Sequence, residues 1–245
     1  MFLNTKKTYI VIDAGNTQIK IAVFKQNKLS EVNKVSFKEL FDKPQQFQHL
    51  RNYKGIISSV LNEEDTKKIN DLFCEAFIFD LTLKLPIQIK YETPQTLGKD
   101  RIANAVAGYL KSKSNTVIID IGTCVKFDFV SEDGNYQGGS ISPGIDLRYK
   151  SLNDYTSNLP LLSNKEKSPL IGRNTNGSLH SGVINGLQAE INQLIYRYNQ
   201  EFNDLTFFMT GGDAKHFDFP AKSNIFANEN LTLEGLYQIV VLNEL

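Results

Sequence analysis

Twice along this chain an apolar run ends in an acid, then a glycine, then small polar residues: VIDAGNTQIK at residues 11–20 and IIDIGTCVKF at residues 118–127. Each time a second β-rich run follows before any helical spacing, in YIVIDAGNTQIKIAVF and in TVIIDIGTCVKFDFV. A strand, a tight polar turn and a returning strand are therefore expected twice. A simple doubly wound fold would pass from strand directly to helix. Aligning Asp13 with Asp120 also aligns Gly15 with Gly122 and sets Asn16 against Thr123. We therefore read an α/β chain of two halves of similar design, residues 1–115 and 116–245.

Apolar, β-rich runs predict strands at 9–11, 19–24, 55–60, 76–79, 117–119, 125–130 and 205–209. Helical spacing predicts helices at 37–50, 63–73, 101–111, 145–155, 178–202 and 231–245. The stretch 159–173, with two prolines and several polar residues, is expected to be a surface loop. At 245 residues and 41% hydrophobic content the chain can bury a real core. Lys plus Arg (27) balance Asp plus Glu (27), which gives no basic surface for nucleic acid, so a small-molecule partner is expected. Cys74 and Cys124 form no metal or disulfide pattern, and the sequence has neither a signal-peptide core near its start nor an apolar run long enough for a membrane. A cytoplasmic protein is expected.

A glycine lets backbone approach a ligand, and successive turn amides make an anion-binding concavity. An acid at the strand end would repel phosphate unless a cation lay between them. Asp13 and Asp120 thus read as cation-facing carboxylates, with Asn16, Thr17 and Thr123 on phosphate oxygens and Lys20 neutralising charge. One such turn alone reads more readily as ordinary hairpin chemistry, and it is the duplication that favours phosphate. MTGGDA at 209–214 follows an apolar run and reads either as a plain turn or as glycines, Gly211 and Gly212, that admit an adenine or ribose. GGSISPG at 138–144 ends in a proline-glycine turn, which reads either as opening a helix at Ile145 beside a ligand or as a structural corner. In LGKDRIANAVAGYL, Asp100 and Arg101 stand at a helix start, either as dipole-favoured residues or as a general base beside an anion-binding arginine. His49, His180 and His216 share no spacing and read as surface or helix residues. Ser178, Gly182 and Gly186 recur every four residues and permit close packing, in the core or against a second subunit.

Taken together, DAGNTQIK, YETPQTLGKDR, DIGTC, GGSISPG, GRNT and TGGDA, in this order across nearly the whole chain, resemble the type III pantothenate kinases of the acetate and sugar kinase, Hsp70 and actin superfamily. The resemblance implies two ribonuclease H-like (actin-like ATPase) halves with ATP in a cleft between them. It implies phosphorylation of pantothenate to 4'-phosphopantothenate, the first step towards coenzyme A. Asp100 matches the proton acceptor, and Gly98, Lys99 and Arg101 complete a substrate-binding segment with Tyr91 upstream. Asp13 would hold magnesium through phosphate or water, while Gly15, Asn16, Thr17 and Lys20 form the first phosphate loop. Gly122, Thr123, Gly211 and Gly212 would contact ATP. Asp120 matches a ligand for a monovalent cation, potassium or ammonium. Thr175 matches a substrate contact near a dimer interface, so a homodimer is implied. Two departures stand out: Cys124 replaces the usual alanine, and Leu61 and Asn62 follow Val60 where valine and proline are common. The alternatives are another small-molecule kinase of the superfamily and a nucleotide-binding regulator of the Bvg accessory factor type.

Overall fold

The computed structural model describes residues 7–219 and 224–243. In chain order the elements are β1 (Thr8–Ala14), β2 (Ile19–Lys25), β3 (Lys28–Val35), α1 (Phe37–Asp42), β4 (Gly55–Ser59), α2 (Glu63–Leu72), β5 (Ala76–Ile78), β6 (Gln88–Ile89) and α3 (Lys99–Ser112). There follow β7 (Thr116–Ile121), β8 (Cys124–Val130), β9 (Asn135–Pro143), α4 (Ile145–Asp154), α5 (Thr175–Glu201), β10 (Thr206–Thr210), β11 (Ile225–Ala227) and α6 (Leu231–Asn243). They fall into two compact units, one within Met1–Leu110 and Asn230–Leu245, the other within Lys111–Glu229. Among the described residues no helix is long and apolar enough to cross a membrane.

The first unit carries a sheet in the order β3-β2-β1-β4-β5, antiparallel across β3, β2 and β1 and parallel across β1, β4 and β5. Its central strand is buried on both faces, which explains why YIVI is a continuous apolar run and not an alternation. Ile10 and Ile12 join Ile21, Val23 and Ile57 beneath Leu40, Phe47 and Ile69 of the elements that follow the hairpin. On the opposite face, Tyr237 of α6 stacks on Phe24 with ring centroids 4.2 Å apart. Each such fully buried aliphatic side chain contributes about 1.5–3 kcal/mol, so Ile12→Ala would be among the most damaging single changes to this unit.

In the second unit the order β9-β8-β7-β10-β11 repeats the same scheme, with β7 antiparallel to β8 and parallel to β10. Here the faces differ. Ile119, Ile121, Val125 and Phe127 pack on Ile145 and Tyr149 of α4 and on Val183, Leu187 and Ile191 of α5. The alternate residues Asp120, Lys126 and Asp128 lie on the other face.

Several expectations change against this frame. The helix expected at 37–50 is broken into α1 and a 3-10 turn at Pro44–Leu50, because Pro44 lacks an N–H and pushes Lys43 out of helical backbone, to φ −131° and ψ 51°. A capping box formed by Ser36 and Glu39 starts α1. GGSISPG ends as expected, with Gly144 capping a helix that opens at Ile145, but residues 138–143 before it run inside β9. β3, with the exposed polar sequence KLSEVNKV, gave no apolar run from which to predict it. The structural units also differ from the 1–115 and 116–245 halves in the last helix, which returns to the first unit. There a β-carbon on Gly235 would stand 1.8 Å from the Ala103 carbonyl oxygen, so α6 crosses α3 at backbone contact.

Candidate functional site

In the first unit, residues 15–18 join β1 to β2, and the Gly15 N–H donates to the Gln18 carbonyl at 3.1 Å. Asn16 and Thr17 are exposed, and Asp13 and Lys20 face each other as cross-strand partners at the mouth of the hairpin. The expected phosphate-loop residues are thus contiguous, with acid and base on one face at the strand ends.

The same unit holds Tyr91 and the 98–101 segment together. Asp100 and Arg101 occupy the first turn of α3, behind which Ile102, Ala105 and Val106 are fully buried. Arg101 is only 5% exposed, and its guanidinium lies 5.9 Å from the centre of the Tyr91 ring. Gly98 leaves room for the acid, since a β-carbon there would meet the Asp100 carboxylate oxygen at 2.5 Å. A carboxylate and a guanidinium, adjacent at a helix N-terminus and flanked by an aromatic ring, are suited to accept a proton while holding an anionic group.

In the second unit the turn after β7 is clasped by glycine. A β-carbon on Gly144 would come within 2.0 Å of the Gly122 carbonyl oxygen, and one on Gly211 within 2.2 Å of that of Ile121. Gly211 has φ +96°, a conformation that favours glycine. The Gly144 N–H donates to Thr123, and the Asp213 N–H donates to Ile121, each at 3.0 Å. By contrast, Gly122 and Gly212 have nothing within 4 Å on the side where a β-carbon would sit. The paired glycines of TGGDA therefore divide their roles: Gly211 packs on the turn and Gly212 faces open space.

Asp120, at the end of β7, is paired with Lys126 of β8 at 2.7 Å, both side chains being largely shielded at 14% and 16% exposure. Sequence reasoning did not single out Lys126. The signal was present, because Lys126 stands opposite Asp120 as Lys20 stands opposite Asp13. It was hidden by a connection one residue shorter, 122–124 between paired Ile121 and Val125 against 15–18 between paired Ala14 and Ile19.

Thr175 opens α5 and is exposed, with Asn174 capping the helix through a 2.8 Å bond from the Gly177 N–H. The preceding loop is tied down. Ser181 donates to the Leu170 carbonyl at 2.7 Å, and Lys165 reaches Asp146 at 2.7 Å and Asp213 at 3.0 Å. His180 is more than a surface residue. Tyr149 donates its one proton to the Asn164 carbonyl at 2.9 Å, so the His180 Nδ1, 2.6 Å from the same hydroxyl, carries the hydrogen of that second bond. Burial, and then Asp146, push the Tyr149 hydroxyl pKa up to about 12. Gly182 and Gly186 lie on an exposed face of α5 and meet nothing within 4 Å.

These two sheets of one topology, each opening on an Asp-x-Gly turn, define a protein with the actin-like, sugar-kinase fold. Two solved structures agree on the fold: a conserved protein assigned to the Baf family of transcriptional activators from Campylobacter jejuni (22% identity, TM-score 0.59, 95% of this chain and 97% of that one) and a protein described as an N-acetylmannosamine kinase from Listeria monocytogenes (10% identity, TM-score 0.50, 96% and 98%). The family model for type III pantothenate kinase matches residues 9–197. Relatives named type III pantothenate kinase are 41% identical in Christiangramia forsetii, over 96% of this chain and 98% of the relative, and 40% identical in Cytophaga hutchinsonii, over 96% and 99%. The chain belongs to the type III pantothenate kinase family.

Family membership implies ATP and a divalent metal, and the residues present fit both. Magnesium needs only one or two carboxylates beside phosphate oxygens and water, which Asp13 can supply. The open sides of Gly122 and Gly212 suit close approach of a nucleotide. A monovalent cation fits less well, because the carboxylate expected to hold it already carries the Lys126 ammonium.

Proposed function

We propose that this chain transfers the γ-phosphoryl group of ATP to the primary hydroxyl of pantothenate, giving 4'-phosphopantothenate for coenzyme A synthesis in the cytoplasm. The observation that carries it is the cluster of Asp100, Arg101 and Tyr91 in a chain of this family. Arg101, shielded from water and stacked by Tyr91, would bind the pantothenate carboxylate as a charge-assisted pair. Lys99 and Gly98 shape the same segment. Asp100 would accept or orient the hydroxyl proton as the oxygen attacks. The transition state of phosphoryl transfer is loose, so positioning and charge neutralisation carry most of the acceleration. Asn16 and Thr17, in the turn that Gly15 opens, would bind phosphate oxygens, with Lys20 offsetting their charge. Thr123, Gly122, Gly211 and Gly212 would line the nucleotide. Magnesium, when bound, neutralises the β- and γ-phosphates, with Asp13 holding it directly or through water.

The potassium or ammonium ion implied at Asp120 is left out of this scheme, for the reason given by Lys126. Homodimerisation is part of it: Thr175 is exposed at the start of α5, and the bare face at Gly182 and Gly186 allows close approach of a second copy. The test is ADP release with ATP, magnesium and pantothenate, compared with a panel of sugars. Turnover on pantothenate alone is expected, and turnover on a sugar but not on pantothenate overturns the assignment.

A further inference from the structure

We propose that Lys126 is a built-in counter-cation for the second turn, taking the place on Asp120 that an added potassium or ammonium ion would fill, so that phosphoryl transfer by this chain does not require a monovalent cation. This rests on the kinase function proposed above. An acid at a strand end beside a polyphosphate repels its ligand unless its charge is balanced. Lys126 balances it from within the sheet: its Nζ lies 2.7 Å from the Asp120 Oδ2. The two residues are directly opposed cross-strand partners, and β8 is held between β7 and β9, so the lysine backbone is fixed on both sides.

An alkylammonium and a potassium ion carry the same charge, and both take oxygen ligands. The tethered group has the advantage, because its local concentration is set by the fold and not by the medium. A second cation on the same carboxylate would meet a like charge in a shielded setting, where water and salt screen poorly. The clasp of Gly144 and Gly211 then presents the Gly122 turn to the nucleotide with the nearby acid already neutralised.

The experiment compares wild type with Lys126→Thr in choline, sodium, potassium and ammonium chloride at equal ionic strength, reading pantothenate-dependent ADP release. Wild type is expected to vary by less than about twofold between salts. Lys126→Thr is expected to lose about tenfold or more in choline and to recover in potassium or ammonium, since a free ion can then bind Asp120. Wild-type turnover that needs potassium, or a variant that is equally poor in every salt, overturns the proposal; in the latter case the lysine serves the strand alone. Melting curves with a non-hydrolysable ATP analogue in the same salts give a readout that does not depend on the acceptor. A potassium-specific rise in Lys126→Thr and none in wild type is expected, and a rise in wild type overturns the proposal. Absence of pantothenate turnover in all salts, with the melting pattern as expected, overturns the substrate assignment and leaves the role of Lys126 standing.

Discussion

The turn at residues 15–18 is closed by its own backbone alone, whereas the turn after Ile121, closed likewise by its own bond from Gly122 to Cys124, is also gripped by the unit around it. The first has one internal bond, from Gly15 to Gln18, and exposes Asn16 and Thr17. The second has its own bond from Gly122 to Cys124 and is gripped besides by Gly144 on one side and Gly211 on the other, with further bonds from Asp213 and Gly144. On the proposed function, similar motifs would thus meet their ligand in different states of preparation. The second turn has already borne its ordering cost in folding, while the first retains exposed polar side chains that would be ordered on binding. A preset turn suits a fixed part of the nucleotide, and an adjustable one suits phosphates and metal, whose geometry changes during transfer.

If both turns only bind and neutralise, the largest loss of turnover must come from a residue outside them. Asp100→Asn is nearly isosteric and keeps the α3 start, so folding and nucleotide binding are expected to persist while the turnover number falls about 10²–10⁴-fold. Steady-state kinetics beside an ADP-binding titration measure this. A variant within a few-fold of wild type would move proton transfer elsewhere, and the division between turns and base would fail.

Glycine substitutions break the comparison more directly. Gly211→Ala forces a β-carbon against the Ile121 carbonyl and strains a φ of +96°, so a loss of about 2–4 kcal/mol is expected in denaturant unfolding. Gly144→Ala should cost about 1–3 kcal/mol by crowding the Gly122 carbonyl. Gly15→Ala meets only the Gln18 oxygen at 3.1 Å, and the first turn has freedom to shift, so a smaller loss is expected. Equal costs at residues 15 and 144 would erase the contrast. Gly122→Ala sharpens it, because the open side of that residue should leave stability intact while a methyl group in the path of the nucleotide raises KM for ATP roughly tenfold.

Much of this was legible in the sequence. The Asp-x-Gly repeat located both hairpins, because a polar turn between two apolar runs leaves the backbone few other conformations. Five of the helices were found as continuous elements, since their apolar residues recur at helical spacing, even in α3, which is buried all round from Arg101 to Gly108. What escaped depended on contacts distant in sequence. The α6 return to the first sheet is encoded by shape at Gly235 and by the ring of Tyr237, neither of which signals its partner. β9 was concealed because glycine is ordinarily a turn residue, yet Gly139 is needed in a strand where a β-carbon would stand 1.7 Å from the Phe127 carbonyl oxygen. The pairing of Asp120 with Lys126 required the strand register, which a connection shortened by one residue disguised.

The smallest expected effect concerns the outer clamp of the second turn. Lys165 joins Asp146, just after the Gly144 cap, to Asp213, just after the paired glycines, and so ties together the two segments that grip residues 122–124. Partial burial presses the pKa of its ammonium down, but the hydrogen bonds to Asp146 and Asp213 outweigh this, and the net shift is upward from 10.5. A group whose pKa is raised by folding stabilises the fold fully below its unfolded value and loses that contribution as pH rises through the folded value. Lys165→Met should therefore lower stability by about 1 kcal/mol or less near neutrality, as expected for a partly exposed pair. The gap between variant and wild type should stay constant up to about pH 9 and close only above 10.5, which melting curves across that range would show. A gap that closed towards acid instead would mean that the carboxylates, and not the lysine, set the strength of the clamp. If the gap is independent of pH throughout, the lysine stem contributes by packing, and the grip on the second turn belongs to its glycines alone.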